Sequence, residues 1–157
     1  MTLSPPGAGA RQQGFTLVEL LVVFAIGALL VGLAPLAFGK LRESSQYRDT
    51  LRTLVAELRQ ARQQAITRGT EVRFQMDLPR RQFGVQGAAQ RDVPQPLQVR
   101  ATVGSTEITP TQVAGILFLP DGGATGGSFD VLRPSGTGTR VRVDWLSGRV
   151  EQEPLRP

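Results

Sequence analysis

The chain has no histidine and no cysteine among its 157 residues. Disulfides, thiolate or imidazole metal sites, and Ser–His or Cys–His nucleophilic arrangements are therefore excluded, along with the usual general base near neutral pH. The thirteen acids are scattered without the paired spacing that carboxylate acid–base chemistry needs. No enzyme is expected from this repertoire, and neither a cofactor nor a metal. One carboxylate stands out by position. Glu19 is the single formal charge in the run from Phe15 to Phe38, FTLVELLVVFAIGALLVGLAPLAF.

A helix over that run would reach roughly 36 Å at about 1.5 Å per residue, against a hydrocarbon core of about 30 Å. The length predicts a transmembrane helix over 15–38. A carboxylate inside such a helix costs on the order of 2.5–3.5 kcal/mol, so it normally has a partner or a task. Cleavage between Gly14 and Phe15 would create an amino terminus about one helical turn from Glu19, and the amine of a neighbouring copy could meet that carboxylate within the bilayer. A secretory signal peptide would be shorter and would end in a small-residue cleavage site. An unprocessed anchor would leave Glu19 and the Gly14–Phe15 junction without a reason.

Gly14-Phe15-Thr16-Leu17-Val18-Glu19-Leu20-Leu21, followed by an apolar helix, resembles the signal of type IV prepilins and type II secretion pseudopilins. The resemblance implies cleavage after Gly14 by a prepilin peptidase, methylation of the new N-terminal Phe15, and a role for Glu19 in filament assembly. It also implies an inner-membrane protein with a cytoplasmic N-terminus and a periplasmic domain. The basic residues do not imply that topology by themselves, since Arg11 precedes the run while Lys40, Arg42 and Arg48 follow it. Residues 1–14, with Pro5-Pro6 and small or polar neighbours, read as an unstructured leader that is removed.

From residue 39 to 69 an amphipathic continuation of the helix is predicted. Tyr47, Leu51, Leu54, Val55, Leu58, Ala61, Ala65 and Ile66 form an apolar stripe, with Arg48, Arg52, Arg59 and Gln63 opposite. Gly69 is placed to end it. Pro35 is expected to kink or loosen the membrane half, and Ser44-Ser45 to weaken the helix locally.

Residues 70–157 read as an antiparallel β domain. Val72, Phe74 and Met76 alternate with polar residues, and Phe83-Gly84-Val85 returns after a turn at Pro79. Further strands are expected at Leu97–Val103, Gly115–Leu119, Ser128–Arg133 and Thr139–Trp145. A Thr-rich loop fills Ser105–Gly115, and Leu146–Arg149 turns the chain into Val150. Phe118 and Trp145 are expected in the core. Gly122–Gly127 leads into a strand and has no lysine, so it reads as turn chemistry, not a phosphate loop.

Ala61 and Ala65 within LRQARQQAITRG, then Phe118-Leu119-Pro120-Asp121-Gly122-Gly123 and Ser147-Gly148-Arg149-Val150, resemble the H-type pseudopilins. The implied fold is α+β and type IV pilin-like, a long N-terminal helix with a transmembrane first half, packed on an antiparallel sheet domain. The implied function is that of a minor pseudopilin of the type II secretion system, at or near the tip of a periplasmic pseudopilus that exports folded proteins across the outer membrane. Its partners would be the prepilin peptidase, other major and minor pseudopilins, the inner membrane and secreted substrates. The alternative within the same fold is a minor pilin of a type IV pilus, acting in assembly initiation, adhesion or DNA uptake. That reading would set Arg140, Arg142 and Arg149 against DNA phosphates. The acids at Glu151 and Glu153 and the lack of interleaved aromatics speak against nucleic acid. Seventeen of the eighteen basic residues are arginine and the formal charge is +5, a preference that codon composition also explains.

Overall fold

The structure, a computed structural model, describes residues 15–104 and 112–155, with the side chains of 33–41 outside the description. It divides into two compact units, residues 1–40 and 41–157. A single helix, α1 (Leu17–Arg68), enters both.

In the first unit Leu17, Val18, Phe24, Leu29, Leu30 and Val31 are all more than half exposed. A helix that is apolar all round belongs in a protein core or in lipid. Among the described residues no helix is long and apolar enough to cross a membrane. The predicted span includes residues 33–38, whose side chains lie outside the description. The helix assignment runs on through Pro35, Ser44 and Ser45, and the Ser45 hydroxyl is turned back onto the carbonyl of Arg42 at 3.2 Å.

In the second unit the helical stripe buries Tyr47, Leu51, Leu54, Leu58, Ala61 and Ala65, spaced alternately by four and three, together with Val55. Ile66 falls off that line and is 39% exposed, contrary to expectation. Arg48, Arg52, Arg59 and Gln63 are exposed as expected. The helix stops at Arg68 because Gly69 takes a left-handed φ of 64°, which glycine adopts without a Cβ clash.

Eight strands follow, β1 (Val72–Asp77), β2 (Gln82–Val85), β3 (Arg91–Asp92), β4 (Gln98–Thr102), β5 (Val113–Phe118), β6 (Gly127–Leu132), β7 (Gly138–Val143) and β8 (Val150–Leu155). They form two four-stranded sheets in the orders β3-β2-β1-β5 and β4-β6-β7-β8, antiparallel throughout. The predicted first hairpin pairs Phe74 with Val85 and Met76 with Phe83. Both sheets and the helix share one core, in which Phe74 of β1 lies 5.5 Å from Phe129 of β6 and 6.2 Å from Phe83, ring centre to ring centre. Ala61 and Ala65 are fully buried there, so small side chains bring the sheets close to the helix.

Three expectations change. The loop expected over Ser105–Gly115 ends earlier, because Val113, Ala114 and Gly115 pair with Asp77, Met76 and Gln75 of β1; residues 105–111 lie outside the description. The short strand β3 was not anticipated. Trp145, placed in the core by its alternation with Val141 and Val143, is 66% exposed. The strand ends at Val143 and the turn beyond it breaks the period.

Candidate functional site

At the N-terminus, Gly14 lies outside the described residues. Phe15 precedes the helix and is 79% exposed. Thr16 caps it. Its hydroxyl oxygen accepts from the Glu19 N–H at 3.2 Å and its carbonyl accepts from the Leu20 N–H at 3.2 Å. Thr16-Leu17-Val18-Glu19 is thus the Thr-x-x-Glu pattern of a helix start, present in the sequence in addition to the cleavage-type motif. It ties Glu19 to the first turn and leaves it exposed on the helix surface.

The strand arginines are not gathered into a phosphate cradle. Arg140 makes a two-pronged pair with Asp130, its cross-strand neighbour on β6, at 2.7 and 2.9 Å. That hydrogen bonding, with the adjacent negative charge, raises the guanidinium pKa and commits Arg140 within the sheet. Arg142 sits 3.9 Å from Glu153, with both side chains about half exposed. Arg149 is exposed beyond the turn, where its carbonyl accepts from the Asp144 N–H at 3.0 Å. Three carboxylates, Asp130, Glu151 and Glu153, face the two β7 arginines across the strands.

The C-terminal motifs meet on α1. Arg62, between Ala61 and Ala65 on the helix, shares its Nε–H between the carbonyls of Gly122 at 3.1 Å and Ser147 at 3.0 Å. Around it, the Asp121 carboxylate accepts from the Gly123 N–H at 2.9 Å, and the Ala124 N–H donates to the Trp145 carbonyl at 2.9 Å. Asp144 accepts from both the N–H and the hydroxyl of Ser147 at 2.8 Å. Those two bonds, the backbone one first, hold its carboxyl below the usual range. Gly148 has φ 61° and lies so close to this clip that a Cβ there would stand 2.3 Å from the Gly122 carbonyl oxygen. Glycine is therefore required. A second arginine, Arg81, clasps the carbonyls of Val93, Pro94 and Leu97. Neither clasp was read from the sequence: the carbonyls on Arg62 come from turns 60 and 85 residues away, and those on Arg81, 12 to 16 residues on, carry no side-chain pattern that marks them as acceptors.

A helix entering an antiparallel α+β unit, headed by a prepilin-type N-terminus, defines a pilin-like subunit. Solved structures of this kind include the minor pseudopilin EpsH from the type 2 secretion system of Vibrio cholerae, with a TM-score of 0.55 at 16% identity over 69% of this chain and 97% of that one. The type IV minor pilin FimU of Pseudomonas aeruginosa gives 0.53 at 16% identity, over 73% of this chain and 92% of that one. The prokaryotic N-terminal methylation motif matches residues 9–35. The model of the family described as type II transport protein GspH matches residues 50–148. A type II secretion system protein H from Xanthomonas campestris pv. campestris is 37% identical over 152 residues, covering 96% of this chain and 89% of that protein. The chain belongs to the GspH family.

Proposed function

We propose that this chain, as an H-type minor pseudopilin of the type II secretion system, is incorporated at or near the tip of a periplasmic pseudopilus that exports folded proteins across the outer membrane. In this reading a prepilin peptidase cuts between Gly14 and Phe15, Phe15 is methylated, and residues 15–38 hold the chain in the inner membrane with the N-terminus cytoplasmic and residues 70–157 periplasmic. Glu19 acts in assembly, meeting the positive amine of a neighbouring Phe15. Other pseudopilins are its partners, and secreted substrates pass by or touch it.

The observation that carries this reading is the union on one chain of the methylation motif over 9–35 and the GspH match over 50–148. The apolar sleeve from Phe15 to Val31 supports it, since those side chains are exposed in the isolated chain and need lipid or neighbouring helices to cover them. Fold alone does not separate secretion from a type IV pilus, because the likeness to FimU is nearly that to EpsH. The 37% identity to a type II secretion protein H over almost the whole chain favours secretion.

The test is deletion of the gene, complemented by wild type and by Gly14→Ala. Expected are loss of exoprotein secretion with pilus-dependent motility and DNA uptake intact, and rescue by wild type but not by Gly14→Ala. Lost motility or uptake with normal secretion would assign the chain to a type IV pilus.

A further inference from the structure

β8 is the last strand of its sheet, paired with β7 on one side and with no strand on the other among the described residues. The Asp144 N–H bond to the Arg149 carbonyl and the pairing of Val143 with Val150 set the ladder pattern. Bonded and non-bonded pairs alternate along an antiparallel ladder, so residues 151 and 153 bond to β7 while the N–H and C=O groups of Val150 and Gln152 point outward. Pro154 belongs to the outward set, where its missing N–H costs no ladder bond.

Gln152 pairs with the buried Val141 and therefore turns its side chain toward α1. There it joins Arg48, Leu51, Arg52, Val55 and Arg59 around a groove of about 340 Å³. Leu51 and Val55 are buried and form an apolar floor, and the three arginines are exposed along the rim. A second groove of about 390 Å³ shares Arg59 and continues along Val150 and Glu151. Among the described residues, no carboxylate lies within ion-pair distance of Arg48, Arg52 or Arg59. Like charges four apart on a helix repel, so an anionic occupant relieves the Arg48–Arg52 pair.

We propose that this groove takes an extended acidic peptide segment of a second protein, added as a further strand on the open edge of β8. The edge supplies outward N–H and C=O groups, and the one set of side chains turned toward α1 lays its aliphatic stems on the floor and its carboxylates against the arginines. The spacing agrees. Arg48 and Arg52 are about 6 Å apart along the helix axis, and alternate residues of a strand are separated by about 6.8 Å. A carboxylate at every second position therefore keeps step with Arg48 and Arg52. The proposal does not depend on the pseudopilus reading, because binding is measured on the purified chain.

The probe is a fluorescein-labelled heptapeptide, Thr-Glu-Thr-Glu-Thr-Glu-Thr, titrated onto the full chain in detergent micelles and followed by anisotropy. Saturable binding is expected, weakening as salt rises. It should weaken tenfold or more in the double variant Arg48→Ala/Arg52→Ala, whose thermal midpoint should match wild type because both side chains are exposed. A comparable loss is expected for Gln152→Pro, which removes an outward donor without touching an arginine, and for a peptide N-methylated at alternate nitrogens. Absence of binding would overturn the proposal, as would equal affinity for the N-methylated peptide or for a heptapeptide with lysine in place of each glutamate. Self-association of the chain that the double variant abolishes would give the groove to a second copy and also overturn it.

Discussion

The Asp144 carboxylate accepts from the backbone N–H of Ser147, whereas at Glu19 it is the residue's own N–H that is bonded, to the Thr16 hydroxyl, and the side chain is exposed. Glu19 sits three residues after the capping Thr16, on an exposed apolar helix. If its charge serves assembly, Glu19→Ala leaves peptidase cleavage intact and prevents filament incorporation. Glu19→Gln separates the two roles, since it retains the capping pattern and loses the charge. Immunoblotting of processed chain and of sheared filaments reads both, and normal incorporation of either variant would refute the assembly role. Asp144 instead fastens a turn. Its folded pKa lies below the unfolded value, so its contribution is complete above the unfolded value, about 4, and is lost as pH falls through the folded one. The stability difference between wild type and Asp144→Asn is therefore expected to stay constant from pH 7 to about 5 and to shrink on further acidification, as urea midpoints at each pH would record.

Between elements, Arg62 is the joint. One guanidinium on α1 satisfies a carbonyl in the Leu119–Ala124 turn and another in the Trp145–Gly148 turn. Replacing it by Met retains the aliphatic stem and strands both acceptors against the helix. The expected loss is about 2 kcal/mol, a typical cost for unmade hydrogen bonds to a charged group. It would be measured as a lower urea midpoint with the slope unchanged. The helix stripe and the first hairpin were legible because burial imposes periods of 3.6 and 2 on those stretches. The period failed at Ile66, one residue off the buried line, and at Trp145, where the Asp144–Ser147 turn ends the alternation. β3 is too short to carry a period at all.

At the scale of the molecule, the two units differ in what stabilises them. The second holds its core from Tyr47 onward within itself, while the first exposes Phe15, Leu17, Val18 and their neighbours. A fragment of residues 41–157 is expected to unfold cooperatively at the midpoint of the full chain. The full chain freed of detergent is expected to associate, and the fragment to stay monomeric. Differential scanning calorimetry and sedimentation velocity check the two outcomes. A fragment that melts well below the full chain would mean that residues before 41 contribute to the core.

Sequence by itself determined the N-terminal methylation motif, the helical stripe, the glycine that ends α1, and the absence of histidine and cysteine, because each is local composition or periodicity. It also marked the Phe118–Gly123 and Ser147–Val150 segments, without a reason for them. Tertiary structure decided that those segments meet on Arg62, that Arg140 is committed to Asp130, that the strands divide into two sheets, and that β8 leaves an open edge beside an arginine row. These depend on pairings that include residues 85 and more apart, and no local pattern encodes which distant carbonyl, carboxylate or strand a side chain will meet.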